Sequence, residues 1–277
     1  MTRQIDAAQY ALVVAEKLRP AAFPRSGRYE ARWVLEHQMG PNVLWLTESL
    51  STRLELRPGM RVLDLGCGKA LSSIFLAREF GVQVWATDLW VAASDNGRRV
   101  REAGVERLVY PVHAEAHALP FAAGFFDVIV SLDAYHYFGT DDLYLGTHLA
   151  PLVGVGGQLG IVVPGLVQEF DGDPPAPLAP QWREGWDLWS FHSPAWWRRH
   201  WAKTGLVAVE VAELMPDGWR HWLAWDEALF DLGYVAEPRW IALLRTDQGQ
   251  NLGFTQLVAR RTSEIVSSAS TTPRMTS

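Results

Sequence analysis

The chain has 277 residues, 48% of them hydrophobic, enough to bury one large core or a core with a cap. Its formal net charge is −6, and its basic residues are dispersed apart from Arg98, Arg99, Arg101 and the pair Arg198 and Arg199, so no basic stripe marks a nucleic-acid face. The lone Cys67 excludes an internal disulfide and a cysteine metal cluster, and no run is long enough to span a membrane or to form a signal-type apolar core, so a reducing cytoplasmic setting is expected.

Residues 6–19 read as an amphipathic helix, with Asp6 and Gln9 in capping-box spacing and Pro20 as its stop. A second helical stretch covers residues 30–39. Gly40, Pro41 and Asn42 then lead into a third helix ending by Arg57. Together residues 1–56 form an N-terminal helical segment expected to close over a ligand, with Asn42 at the site and Trp45 in the core. Residues 62–65 form a buried strand. Gly66 and Gly68 give a turn in which the backbone can adopt positive φ and approach a ligand, and a helix follows with Leu71, Ile74, Phe75 and Arg78 at helical spacing and Gly81 past its end. That arrangement presents free backbone N–H groups to a polar ligand. A dinucleotide fingerprint wants a third glycine where Leu71 stands, and a P-loop wants Ser or Thr where Ala70 follows Lys69. Both phosphate readings are weakened. Asp64, two residues before the first glycine, suits a ligand that carries an ammonium and a ribose.

A strand over residues 82–87 ends in Asp88, and residues 125–131 and 156–164 give two more. Residues 165–190 then carry several prolines and the acids Glu169, Asp171 and Asp173 with little periodicity, as a lid would. A helix follows with Ser193 as cap, Pro194 at its first position, Trp197 and Trp201 on one face and Gly205 at its end. Residues 206–214 make a strand, residues 218–231 and 237–248 two helices, and residues 252–261 the last strand. The Ser- and Thr-rich tail, residues 262–277, is expected to be disordered. Nine of the fourteen tryptophans fall between residues 182 and 225, a density that predicts an aromatic cap of which a few rings face the acceptor.

The run Val62-Leu63-Asp64-Leu65-Gly66-Cys67-Gly68 resembles the first motif of class I, Rossmann-like methyltransferases that use S-adenosylmethionine, of the bacterial small-molecule type. The resemblance extends over residues 57–164 and implies a doubly wound, mostly parallel seven-stranded α/β sheet with helices on both faces. Residues 165–261 would add the lid and the last strands of that sheet. It further implies that Asp64, Gly66 and Gly68 hold the methionine part of the cofactor and that Asp88, twenty residues beyond Gly68, accepts from the ribose hydroxyls. Leu89 would lie on the adenine, Glu115 and the backbone of Ala116 would read the adenine edge, and Ser131 would close the cofactor site.

Transfer would be a single in-line displacement with S-adenosylhomocysteine as product and no metal. Placing the partners near 3 Å apart supplies about 7 to 11 kcal/mol through orientation alone. The residues after the fourth strand lie beside the methyl group in this fold family. His136 is the candidate general base there, with Tyr135 beside it. Tyr137, Trp186, Trp189 and His192 are candidate acceptor contacts, and Glu169 and His221 are further candidates. The expected partner is a small, aromatic or apolar soluble acceptor of natural-product type, methylated on O, N or C, with no nucleic acid and no stable membrane association. A homodimer is compatible with the apolar N-terminal helix. The approach Gly40-Pro41-Asn42-Val43-Leu44-Trp45 is also similar to cyclopropane fatty-acid synthases, but no basic amphipathic helix accompanies it. A nicotinamide-dependent oxidoreductase and a non-catalytic adenosylmethionine-binding protein are the readings from other classes.

Overall fold

The computed structural model describes residues 6–176, 178–184, 188–236 and 239–262. Among them, one seven-stranded sheet runs in the order β3-β2-β1-β4-β5-β7-β6. Strands β1 (Arg61–Leu65), β2 (Gln83–Asp88), β3 (Val109–His113), β4 (Phe126–Leu132) and β5 (Val153–Leu166) are parallel. The last strand, β7 (Leu252–Arg261), inserts antiparallel between β5 and β6 (Val207–Leu214). The central strands read as near-continuous apolar runs because both of their faces are covered. Two core clusters result, one under the N-terminal helices and one built around Tyr135, Trp197 and Trp201. The strand order reverses between β1 and β4, which opens a crevice at their carboxyl ends where ligands bind in such sheets.

The helices follow local chemistry. Helix α1 (Ala7–Lys17) is capped by Asp6, whose carboxylate accepts from the Gln9 backbone N–H at 2.7 Å. Helix α2 is shorter than its apolar pattern predicts: it spans Ala31–Glu36, starts on the Glu30 carboxylate, and ends where the His37 ring turns back onto the Trp33 carbonyl. Helix α3 (Val43–Ser51) is capped by Asn42 and stops well before Arg57, its last carbonyls being bonded by the Ser51 and Thr52 hydroxyls. Helix α4 (Leu71–Phe80) ends on Gly81 in the left-handed conformation, as expected.

Helix α5 (Ala93–Glu102) had no sequence expectation, and β3 was expected only as one of the seven strands, without bounds of its own. The helix buries only Asn96 and Val100, so it has little apolar stripe to read. The stretch expected to be structureless contains a short helix, α6 (Ala179–Arg183), and a turn of 3-10 helix at Leu188–Ser190. Helix α7 (Pro194–Ala202) has Ser193 as cap, and α8 (Gly218–Asp231) and α9 (Arg239–Asp247) precede β7. The predicted tail beyond Thr262 lies outside the described residues.

Candidate functional site

The β1–α4 turn is built from its own backbone. Gly66 and Gly68 take φ of +73° and +53°, and the N–H groups of Gly66 and Cys67 donate to the Thr87 carbonyl at 2.8 and 3.1 Å, which ties the turn to the end of β2. Asp88 holds it from the side: its Oδ2 accepts from the Gly68 N–H at 2.8 Å, and its Oδ1 accepts from Trp90 and Val91 at 2.8 and 2.9 Å. Three of a carboxylate's roughly four acceptor positions are thus taken by backbone, leaving one on Oδ2 for a ligand rather than the pair expected. Asn96, which sequence reasoning missed, donates to the Gly68 carbonyl at 2.8 Å from the buried face of α5. No periodicity signals such a residue.

Above the turn lies a cavity of about 250 Å³. It is lined by Gly66, Gly68, Asp88, Leu89, Glu115, Ala116 and Tyr137 from the predicted set, and by the connection from α2 to α3. That connection forms a strap over the site. Lys69 Nζ donates to the Glu36 and Gln38 carbonyls, both at 3.4 Å, and Trp225 Nε1 donates to the Gly40 carbonyl at 2.8 Å. Asn42 lines the cavity, while Trp45 packs in the core against Phe23 and Trp225, as expected. Leu71 also lines it, filling the position where a third glycine would admit a pyrophosphate. Leu89, Trp90 and Tyr137 form an exposed apolar rim. Glu115 lines the wall with its carboxylate turned to His117, whose ring, 2.7 Å away, holds it below the usual carboxylate range.

Several expectations are corrected. Asp64 does not reach the cavity: it is fully buried beneath the first turn of α4, where its Oδ2 accepts from the Ser72 and Ser73 hydroxyls at 2.6 Å each. Burial pushes its carboxyl up to about 6, against the pull of the two serines and with the help of Asp88. There it faces the start of α4, which favours negative charge. Ser131 is likewise turned inward, its hydroxyl donating to the Leu65 carbonyl at 2.7 Å. Tyr135 is buried among Phe138, Tyr144, Trp197 and Trp201, and burial drives its phenol well above the ordinary range.

His136 is only 2% exposed, between Tyr137 at 4.0 Å and Phe191 at 5.7 Å between ring centroids, and it does not line the cavity. Burial pulls its pKa down to about 3, so the ring stays neutral and is a weak base. His136→Phe, which keeps the packing, should retain turnover within about tenfold, where loss of a general base costs 10²–10⁴. Steady-state rates would decide, and a thousandfold loss would restore the base role.

His192 and Trp189 line a second cavity of about 360 Å³ that shares no residue with the first. There His192 Nδ1 lies 3.1 Å from Glu169, with its ring stacked on Trp196 at 3.6 Å. Trp186 lies outside the described residues. Trp197, Trp201, Trp222 and Trp225 are buried and Trp182 and Trp196 pack partly buried against the core, so six of the nine tryptophans serve packing. His221 packs edge-on against Phe23 and Trp45. Among the described residues no group of His, Cys, Asp and Glu gathers to hold a metal, and no helix is long and apolar enough to cross a membrane.

Sequence reasoning also missed Asp133, at the end of β4 on the cavity wall, and Asp226 on α8. Burial pushes the Asp133 carboxyl up to about 8, with Asp226 adding to the shift, and burial takes Asp226 up to about 7. A raised carboxyl pKa means the folded protein holds protons that the unfolded chain has released. This stability is present below about pH 4 and lost as pH rises through 7 to 8. Urea unfolding at pH 5 and pH 9 should show a smaller drop for Asp133→Asn than for the wild type. Equal drops would mean that the carboxyl titrates normally.

Residues 62–151 match the methyltransferase domain family. Methyltransferase GfsG of Streptomyces halstedii is 32% identical over 117 residues, which cover 42% of this chain and 42% of that protein. The 27-O-demethylrifamycin SV methyltransferase of Amycolatopsis mediterranei is 30% identical over 117 residues, covering 42% and 43% respectively. The chain therefore spans about two-fifths of the length of the curated relatives it matches. The solved geranyl diphosphate C-methyltransferase of Streptomyces coelicolor superposes with a TM-score of 0.64 at 19% identity, covering 78% of each chain, a likeness of fold.

Proposed function

For a chain that belongs, by its domain and its sheet, to the class I S-adenosylmethionine-dependent methyltransferases, we propose transfer of a methyl group to a small soluble acceptor held in the cavity over Gly66. The observation that carries this reading is the turn at Gly66 and Gly68, tied to Asp88 and open to that cavity. The cradle fits a bound nucleoside only without side chains: a Cβ on Gly66 would fall 2.4 Å from the Ala134 Cβ, and one on Gly68 would fall 3.0 Å from the Met39 Sδ. The relatives' printed names, which include methyltransferases of a rifamycin and of demethylmenaquinone, support a small organic acceptor. The charge of −6 offers no attraction to nucleic acid or to an anionic membrane surface.

Adenosylmethionine, when bound, supplies an electrophilic methyl on a sulfonium. The chain's residues bind and orient. Asp88 Oδ2 would accept from one ribose hydroxyl with the position the backbone leaves it, and Leu89, Glu115 and Ala116, which line the cavity, would hold the base. The strap of residues 38–41, pinned by Lys69 and Trp225, keeps water from the reacting face. Incubating the purified protein with labelled adenosylmethionine and a metabolite panel should give acceptors heavier by one methyl group, together with adenosylhomocysteine. Binding without release of adenosylhomocysteine with any acceptor would leave a non-catalytic binding protein.

A further inference from the structure

Asp133 follows the last residue of β4 in the left-handed conformation, with φ of +56°, a region that aspartate tolerates better than most residues. The turn carries its carboxylate onto the cavity wall, beneath the strap. The fit there is close. A Cβ on Gly40 would fall 2.5 Å from Asp133 Oδ2, so a glycine at 40 is what admits the carboxylate, and the Trp225 indole holds the Gly40 carbonyl in place. Among the described residues no side-chain or backbone donor bonds to this carboxylate. Among the described residues the charged group that acts on it is a second acid, Asp226. Lys69, on the same cavity, is turned to the strap carbonyls, and the His37 ring to Trp33.

A carboxylate pressed into a wall with a like charge behind it is costly unless something positive meets it. Among the described residues no such group meets it. We propose that Asp133, backed by Asp226, is the acceptor-binding carboxylate of this cavity, that it selects acceptors carrying a basic amine, and that it takes the proton the nitrogen must lose before it can be methylated. The proposal rests on the methyl-transfer reading and narrows its acceptor class.

The step balances within the pair. An N–H bond of the ammonium breaks, the proton moves to an Asp133 carboxylate oxygen, and the bonding electrons stay on nitrogen as the lone pair that attacks. Ammonium and carboxylate become amine and carboxylic acid with no net change of charge. The neighbouring Asp226 favours the acid form. A neutral phenol or alcohol offers no positive charge to draw a proton off the pair, which then meets it with neutral hydrogen bonds alone.

Calorimetry on protein saturated with adenosylhomocysteine, using 2-phenylethylamine and its neutral isostere 2-phenylethanol as probes, tests this. The amine should bind at least about tenfold more tightly to the wild type, since a charge-assisted bond exceeds a neutral one by about 1.4 kcal/mol or more. The preference should vanish in Asp133→Asn and shrink in Asp226→Asn, a variant whose site does not line the cavity, while adenosylhomocysteine affinity stays within about threefold, or about 0.65 kcal/mol. Equal binding of the two probes to the wild type, or a preference that survives in Asp133→Asn, would overturn the proposal. Failure of the wild type to bind adenosylhomocysteine at all would overturn the methyl-transfer reading with it.

Discussion

Gly66→Ala should leave a folded protein whose affinity for adenosylmethionine is at least about a hundredfold weaker. The residue sits at φ +73°, where a side chain costs about 1–2 kcal/mol. Its new Cβ would also lie 2.4 Å from the Ala134 Cβ, and such overpacking typically costs about 1–3 kcal/mol. Neither strain can be relieved without moving the turn, because the Gly66 and Cys67 N–H groups are both bonded to the Thr87 carbonyl. The ligand would meet a displaced backbone. Calorimetry would measure the loss, and adding Ala134→Gly should recover part of it by removing the clash but not the φ strain. Near-normal affinity in the single variant would mean that the ligand does not approach this turn.

Asp88→Ala should be comparably damaging to binding and more damaging to stability. Three backbone donors, those of Gly68, Trp90 and Val91, lose their acceptor at once. Hydrogen bonds to a charged group are worth about 1.5–3 kcal/mol each and are not additive here, so a stability loss of about 2–4 kcal/mol is expected. Asp88→Asn should recover little, because one of its two polar ends becomes a donor facing other donors. Chemical unfolding and calorimetry on both variants separate the two losses. Unchanged adenosylmethionine affinity in a folded Asp88→Ala protein would remove this residue from the site.

Local chemistry made much of the core readable. The glycine turn, the acid at the tip of β2 and the caps at Asp6 and Ser193 are each set by residues adjacent in sequence. The misreadings share a cause. Asp64, Ser131, Tyr135 and His136 were placed at the right strand ends, yet their side chains turn into the protein, where Ser72 and Ser73, the Leu65 carbonyl and a cluster of rings receive them. Asp133 and Asp226 lie 93 positions apart, and no pattern along the chain signals that the charge of one acts on the other. The tryptophans were legible as a group and not one by one, since burial in the core and exposure on a rim follow from neighbours distant in sequence.

What the linear chain determined by itself was the Rossmann-like order of strands and helices and the ligand turn between β1 and α4, because hydrophobic period, glycine conformational freedom and capping act over a few residues. What only the folded arrangement decided was which carboxylate faces the cavity. Asp64 meets the start of a helix through Ser72 and Ser73, while Asp133 stands on the cavity wall beneath the strap with no donor bonded to it among the described residues. The physical reason is desolvation: whether a charge is bonded, buried or left for a ligand depends on groups brought together from α3, β4 and α8, and that proximity exists only after the sheet has closed.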